Sequence, residues 1–113
     1  MAANARRPLL SVPYPIELND SQVVIHRKQD AADFCDMIVD QFDEMIEQCQ
    51  RHPLVMNVSV HTYVFGQPFR LRRLRAALKH CLGHAQAVRV WWTRPRDIAE
   101  FCARLAPGIV PGS

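Results

Sequence analysis

From Asp30 to Gln50, apolar side chains return at three- and four-residue steps, through Phe34, Met37, Ile38, Phe42, Met45, Ile46 and Cys49, with acidic residues filling the gaps. That period predicts one long amphipathic helix. Asp30 is its expected N-cap and Asp33 puts a negative charge at the positive end of the backbone dipole. Arg51 and His52 suit the other end, and Pro53 stops the helix. A second helix is predicted from Pro68, with Leu71, Leu74, Leu78 and Leu82 along one stripe and Gly83 as terminator. Thr93 with Pro95 is a cap-plus-first-turn signature for a third, running through Ile98, Phe101 and Cys102.

Between these stretches the period drops to two. In Leu54–Val60, Met56, Val58 and Val60 alternate with Asn57 and Ser59, which predicts a strand with His61 at its C-terminal end. Leu9–Val12 and Val88–Trp92 are shorter apolar runs of the same kind, and Trp91 and Trp92 would then point to opposite sides, one into the core and one against a helix. Strand and helix alternating over short connections implies α/β architecture with parallel strands under covering helices. A closed (β/α) barrel typically takes about 250 residues, and this sequence has 113. The expectation is therefore a fragment over residues 9–105, with tails at 1–8 and 106–113, either pairing with another chain or forming the C-terminal portion of a larger barrel. Uncovered strand edges would lead it to pair with a second copy or with a missing N-terminal half.

Charge sharpens this picture. Nine acidic residues against Arg27 and Lys28 give Tyr14–Gln50 a balance of −7, and ten basic residues against Asp97 and Glu100 give the chain from Arg51 onward +8. Adjacent helices of opposite sign explain that asymmetry. The alternative is a non-catalytic interaction or nucleic-acid-binding module using the basic helix 68–82, where Arg70, Arg72, Arg73 and Arg75 lie near Tyr63, Phe65 and Phe69. The leucine stripe turns Arg72, Arg73 and Arg75 towards solvent, so they read as a solvated face and not as a nucleic-acid site.

Cysteines 35, 49, 81 and 102 form no CxxC pair, which excludes a zinc knuckle and predicts reduced, buried thiols. His80 and His84 have the interval of two ligands on one helical face, but Gly83 ends that helix and no metal site is assigned. No run reaches the roughly 18 apolar residues of a membrane span. The prolines after Arg7 break any signal-peptide core, so a cytoplasmic location is expected.

Candidate chemistry collects in two irregular segments, Pro13–Asp20 and Val60–Arg70. His61 is the leading candidate, because an imidazole at the end of an apolar strand titrates near neutral pH and reaches a substrate. Asn19 and Asp20 suit either fixing a substrate amide or neighbouring histidine, or capping their own turn.

VPYPIELND, the acidic helix, HPLVMNVSVHTYVFGQPFRLRRLRAALKH and VRVWWTRPRDIAEFC, in that order, resemble the C-terminal portion of the polysaccharide deacetylase (NodB-homology) family, in particular its allantoinase-like branch. The resemblance spans Leu9 to Cys102. It matches His61 to the family's last catalytic histidine, Gly66, Pro68 and Arg70 to the G-x-P-x-R segment after it, and Tyr14, Asn19 and Asp20 to the aromatic-proline loop. It implies parallel β/α units forming the C-terminal part of a distorted, incomplete (β/α) barrel, and a truncated carbon-nitrogen hydrolase acting on a small amide or ureido substrate or an N-acetylated sugar. His61 would be the leaving-group acid, with Tyr14, Asn19, Asp20, Gly66 and Arg70 on the substrate side. Full-length relatives would use a divalent metal. The family's Asp-Asp motif and paired metal-binding histidines have no counterpart before Leu9, so the chain by itself is expected to be inactive and supports no cofactor.

Overall fold

The computed structural model describes residues 9–112. The tail expected at 1–8 lies outside them, as does Ser113. The described residues fall into two compact units, Pro13–Val90 and a second made of the residues up to Val12 together with those from Trp91 onward.

The three predicted helices form close to where the pattern placed them, as α1 (Ala31–Gln48), α3 (Pro68–Gly83) and α4 (Pro95–Cys102), and a single-turn helix α2 spans Thr62–Phe65. The predicted sheet does not form. Among the described residues there are no strands, so the expectation of a parallel β/α barrel portion is corrected: the regular structure is helical. What remains of the expected pairing is one parallel bridge, Asn19 with Ser59, closed by Asp20 N–H to Ser59 O at 3.1 Å and Ser59 N–H to Leu18 O at 3.0 Å.

The reason is that alternation marks a segment able to lie on a pleated surface but says nothing of a neighbour to pair with. Leu9 and Val88, from the two outer runs, are 96% and 93% exposed. In the last run local bonding takes over: Ala87–Arg89 is a 3₁₀ turn, with Arg89 N–H on Gln86 O and Val90 N–H on Ala87 O. Ser21–His26, unmarked by any period, winds into a π-helical turn.

Asp30 takes extended backbone angles before α1, and its N–H donates to Asp33 Oδ2 at 2.9 Å, the return half of a capping box. The helix buries Phe34, Cys35, Ile38, Phe42 and Ile46, largely a ridge at four-residue steps. It packs against α3, which offers the small side chains Ala77 and Cys81. Val23, Val64 and Phe65 close the core, the Phe34 and Phe65 rings lying 5.2 Å apart between centroids.

Three local expectations are corrected. The leucine stripe of α3 faces inward only at its start: Leu71 and Leu74 are half-buried and Leu74 packs on the core, but Leu78 and Leu82 are 42% and 60% exposed, a shoulder away from the buried Ala77 and Cys81 at about 100° per residue. Neither tryptophan enters a core; Trp91 stacks edge-on with Phe101 at 5.8 Å and both indoles are exposed. The N-cap of α4 is Arg94, not Thr93, whose hydroxyl instead donates to Asp97 Oδ2 at 3.3 Å. No helix among the described residues is long and apolar enough to cross a membrane.

All four cysteines are free, Cys35 and Cys81 buried and Cys49 and Cys102 half-buried. Burial pushes the Cys35 thiol up to about 11, with Asp36 adding to the effect and Arg73 opposing it. Burial likewise raises Cys81, assisted by Asp43. Because thiolate is the reactive form, mass-resolved alkylation of the native protein at mildly basic pH should label Cys49 and Cys102 first, with Cys35 and Cys81 following only on unfolding. The raised Cys35 value also fixes a sign. Its stabilisation is intact below the ordinary value of 9.0 and is lost as pH climbs towards about 11, since the unfolded chain releases that proton earlier.

Candidate functional site

Two chain segments distant in sequence meet at the Asn19–Ser59 bridge, and the candidate site is built on that meeting. Asp20 follows the bridge on one side and His61 lies two residues beyond it on the other. Asp20 is fully buried. Its Oδ2 accepts the His61 backbone N–H at 2.7 Å and its Oδ1 lies 2.6 Å from His61 Nδ1. A buried carboxylate is tolerated only when its oxygens are met by donors, and here one residue meets both. His61 has extended backbone angles and precedes α2, so the chain turns immediately after it. Its side chain is 36% exposed. With Nδ1 held against the carboxylate, Nε2 is the ring nitrogen left for another molecule. The Tyr63 ring sits beside it, 5.5 Å away between centroids.

Of the two roles considered for Asn19 and Asp20, each residue takes one. Asp20 fixes the histidine. Asn19 caps its own turn, its Oδ1 accepting the Ser21 N–H at 3.1 Å and the Ser21 hydroxyl at 2.8 Å. Asn19 Nδ2 reaches the Tyr14 hydroxyl at 3.5 Å, and that hydroxyl bonds to Ser59 Oγ at 2.7 Å. Tyr14, Asn19, Asp20 and His61 are therefore gathered around one bridge, with Tyr14 largely exposed.

Gly66 and Arg70 serve the turn behind His61. Gly66 N–H donates to Thr62 O at 2.8 Å, and a Cβ at this position would run into that same carbonyl oxygen. Arg70 Nη1 donates to Val64 O at 3.1 Å while its guanidinium lies 4.8 Å from the Phe69 ring centroid. Pro68 starts α3 at a position that needs no N–H.

Sequence reasoning passed over Ser59, a buried hydroxyl that ties Tyr14 to the bridge; its polarity within an apolar run was the available signal. It also missed Asp43, which explains the paired histidines. His80 Nε2 stands 2.8 Å and His84 Nε2 3.9 Å from Asp43 Oδ1, so the two link the end of α3 to α1. Gln86 N–H donates to His84 Nδ1 at 3.1 Å. Among the described residues no group of three His, Cys, Asp or Glu is placed to hold a metal ion.

Compared with known proteins, the chain matches no family model, no curated protein and no solved structure.

Proposed function

We propose that the Asp20–His61 pair is the proton-donating half of a carbon-nitrogen hydrolase site. The observation that supports this reading is a fully buried carboxylate held 2.6 Å from an imidazole nitrogen of a half-exposed histidine. Amide hydrolysis adds water to the carbonyl carbon and then breaks the C–N bond, and the nitrogen leaves as an amine only when it receives a proton. An imidazolium whose Nδ1–H rests on Asp20 holds its Nε2–H ready for that nitrogen. Asp20 keeps the ring from rotating and offsets the positive charge before the transfer. The water's proton goes to a separate base, and the neutral ring left behind regains its own proton from solvent once the amine has gone.

Activation of the water calls for a base, and in the family that the sequence resembles also for a divalent metal. That half of the chemistry is assigned to groups beyond the Asp20–His61 pair. The substrate class is a small amide or ureido compound or an N-acetylated sugar, with the Tyr14 hydroxyl beside the pair as a further hydrogen-bonding group.

The test is an amide-cleavage assay on such substrates, with and without added divalent metal, using the chain alone and in the assembly it forms in its native host. The chain alone is expected to leave them intact. Activity of the assembly should fall by about 10²–10⁴-fold in His61→Gln, the range for loss of a general acid. Turnover that survives His61→Gln undiminished would overturn the assignment.

A further inference from the structure

α1 and α3 pack against each other, yet apart from Asp43 with His80 and His84 their charged side chains form no ion pair with one another among the described residues. On α1, Asp33, Asp36, Asp40, Glu44 and Glu47 follow one another at three- and four-residue steps, a single line along the helix, and all are exposed. Asp33 and Glu44 bond only within their own helix region, to the Asp30 N–H and the Gln48 amide. Asp36, Asp40 and Glu47 form no ion pair among the described residues. On α3, Arg72, Arg75 and Lys79 make a matching exposed line, with Arg73 beside it, and these four form none either.

Each line carries apolar surface as well. A cavity of about 310 Å³ beside the acidic line is lined by Leu18, Met37 and Gln41 together with Glu17 and Asp40. The basic line is flanked by the exposed Leu78 and Leu82, and at its start Phe69, 67% exposed, lies among Pro68, Arg72 and Arg73. We propose that this chain associates with a second copy of itself, the basic ridge of α3 in one molecule lying along the acidic ridge of α1 in the other.

Length and charge favour that occupant. At about 1.5 Å per residue the line Asp36–Glu47 runs about 16 Å and Arg72–Lys79 about 10 Å, so one fits within the other. A polyanion laid on α3 would meet the basic ridge alone and leave the acidic one unpaired. A second copy brings a positive surface to the negative ridge and a negative one to the positive. The two ridges are different surfaces, so the contact runs head to tail and need not stop at two molecules. Exposed ion pairs contribute little one by one. The association therefore rests on the whole line with its apolar flanks, and salt weakens it.

Sedimentation or light scattering across a concentration series tests this. At about 0.05 M salt the wild-type mass is expected to rise about twofold or more above the monomer, and to return to it at about 0.5 M. Asp40→Lys with Glu44→Lys takes the acidic line from −5 to −1, and Arg72→Glu with Arg75→Glu takes the basic line with Arg73 from +4 to 0, so each variant keeps one ridge and cancels most of the other. Each double variant should stay monomeric with wild-type circular dichroism, since all four positions are exposed. An equimolar mixture of the two should associate again, because only the mixture restores opposite signs across the contact. A wild type that stays monomeric at low salt overturns the proposal, as does a mixture of folded variants that stays monomeric. Retention of a single-stranded oligonucleotide through Arg72 and Arg75, with no rise in mass, assigns the ridge to a polyanion and overturns it equally.

Discussion

Replacing Phe34 by alanine is expected to cost about 3–5 kcal/mol of stability, the range for deleting a fully buried aromatic side chain. Phe34 has no solvent exposure and its ring meets Phe65 at a centroid distance of 5.2 Å and an interplanar angle of 50°. The substitution therefore leaves a cavity and breaks an aromatic contact that joins α1 to the turn carrying the candidate site. A domain of this size holds only about 5–15 kcal/mol in total, so the thermal midpoint should fall by about 12–40 °C. Leu82→Ala is the matched control. The apolar period counts Leu82 among the inward residues of α3, but it is 60% exposed, and its loss should stay within about 0.5 kcal/mol. Thermal denaturation followed at the helical band compares the two directly; equal losses would contradict the orientation of α3.

That contrast shows what the sequence could and could not disclose. Helices α1, α3 and α4 are stated by local signals, such as Asp30 with Asp33 and proline at the first turn of α3 and of α4, and the chain obeys them. The rotation of α3 is set by what α1 offers. The ridge Phe34, Ile38, Phe42, Ile46 accepts the small Ala77 and Cys81, and a leucine count cannot reveal that preference for close approach. Strands depend even more on partners. The alternation of Leu54–Val60 is real, but among the described residues one bridge to Asn19 is all the strand pairing the segment receives.

The site was legible in part for the same reason. His61 and Asp20 stand out as chemistry-bearing residues at the ends of irregular segments. Their union, however, depends on a pairing across 41 positions of sequence that no local rule supplies. Arg70, which the motif puts on the substrate side, has a local contact that no spacing could announce: its Nη1 donates to the Val64 carbonyl of α2.

Asp20 carries the second large effect, and two substitutions separate its two jobs. Asp20→Ala removes both acceptors at once, leaving the His61 backbone N–H without its partner and the imidazole without its anchor. Hydrogen bonds to a charged group contribute about 1.5–3 kcal/mol each, so denaturant unfolding should register a loss of about 3 kcal/mol or more. Asp20→Asn keeps one carbonyl oxygen for the backbone N–H and should recover about half of that. The amide cannot restore the second job. It presents an N–H where Oδ1 stood, so Nδ1 must become an acceptor, the ring proton moves to Nε2, and the imidazolium has no negative partner. Nitrogen-15 correlation spectra of the His61 ring should therefore show a proton on Nδ1 in both the neutral and the imidazolium form of the wild type, and a neutral ring protonated on Nε2 alone in Asp20→Asn. If the pair acts as proposed, amide cleavage should fall by up to about 10⁴-fold in that variant, the scale on which a triad aspartate acts through tautomer alone. A variant that keeps the wild-type tautomer while losing stability would make Asp20 a structural clamp on the bridge and nothing more.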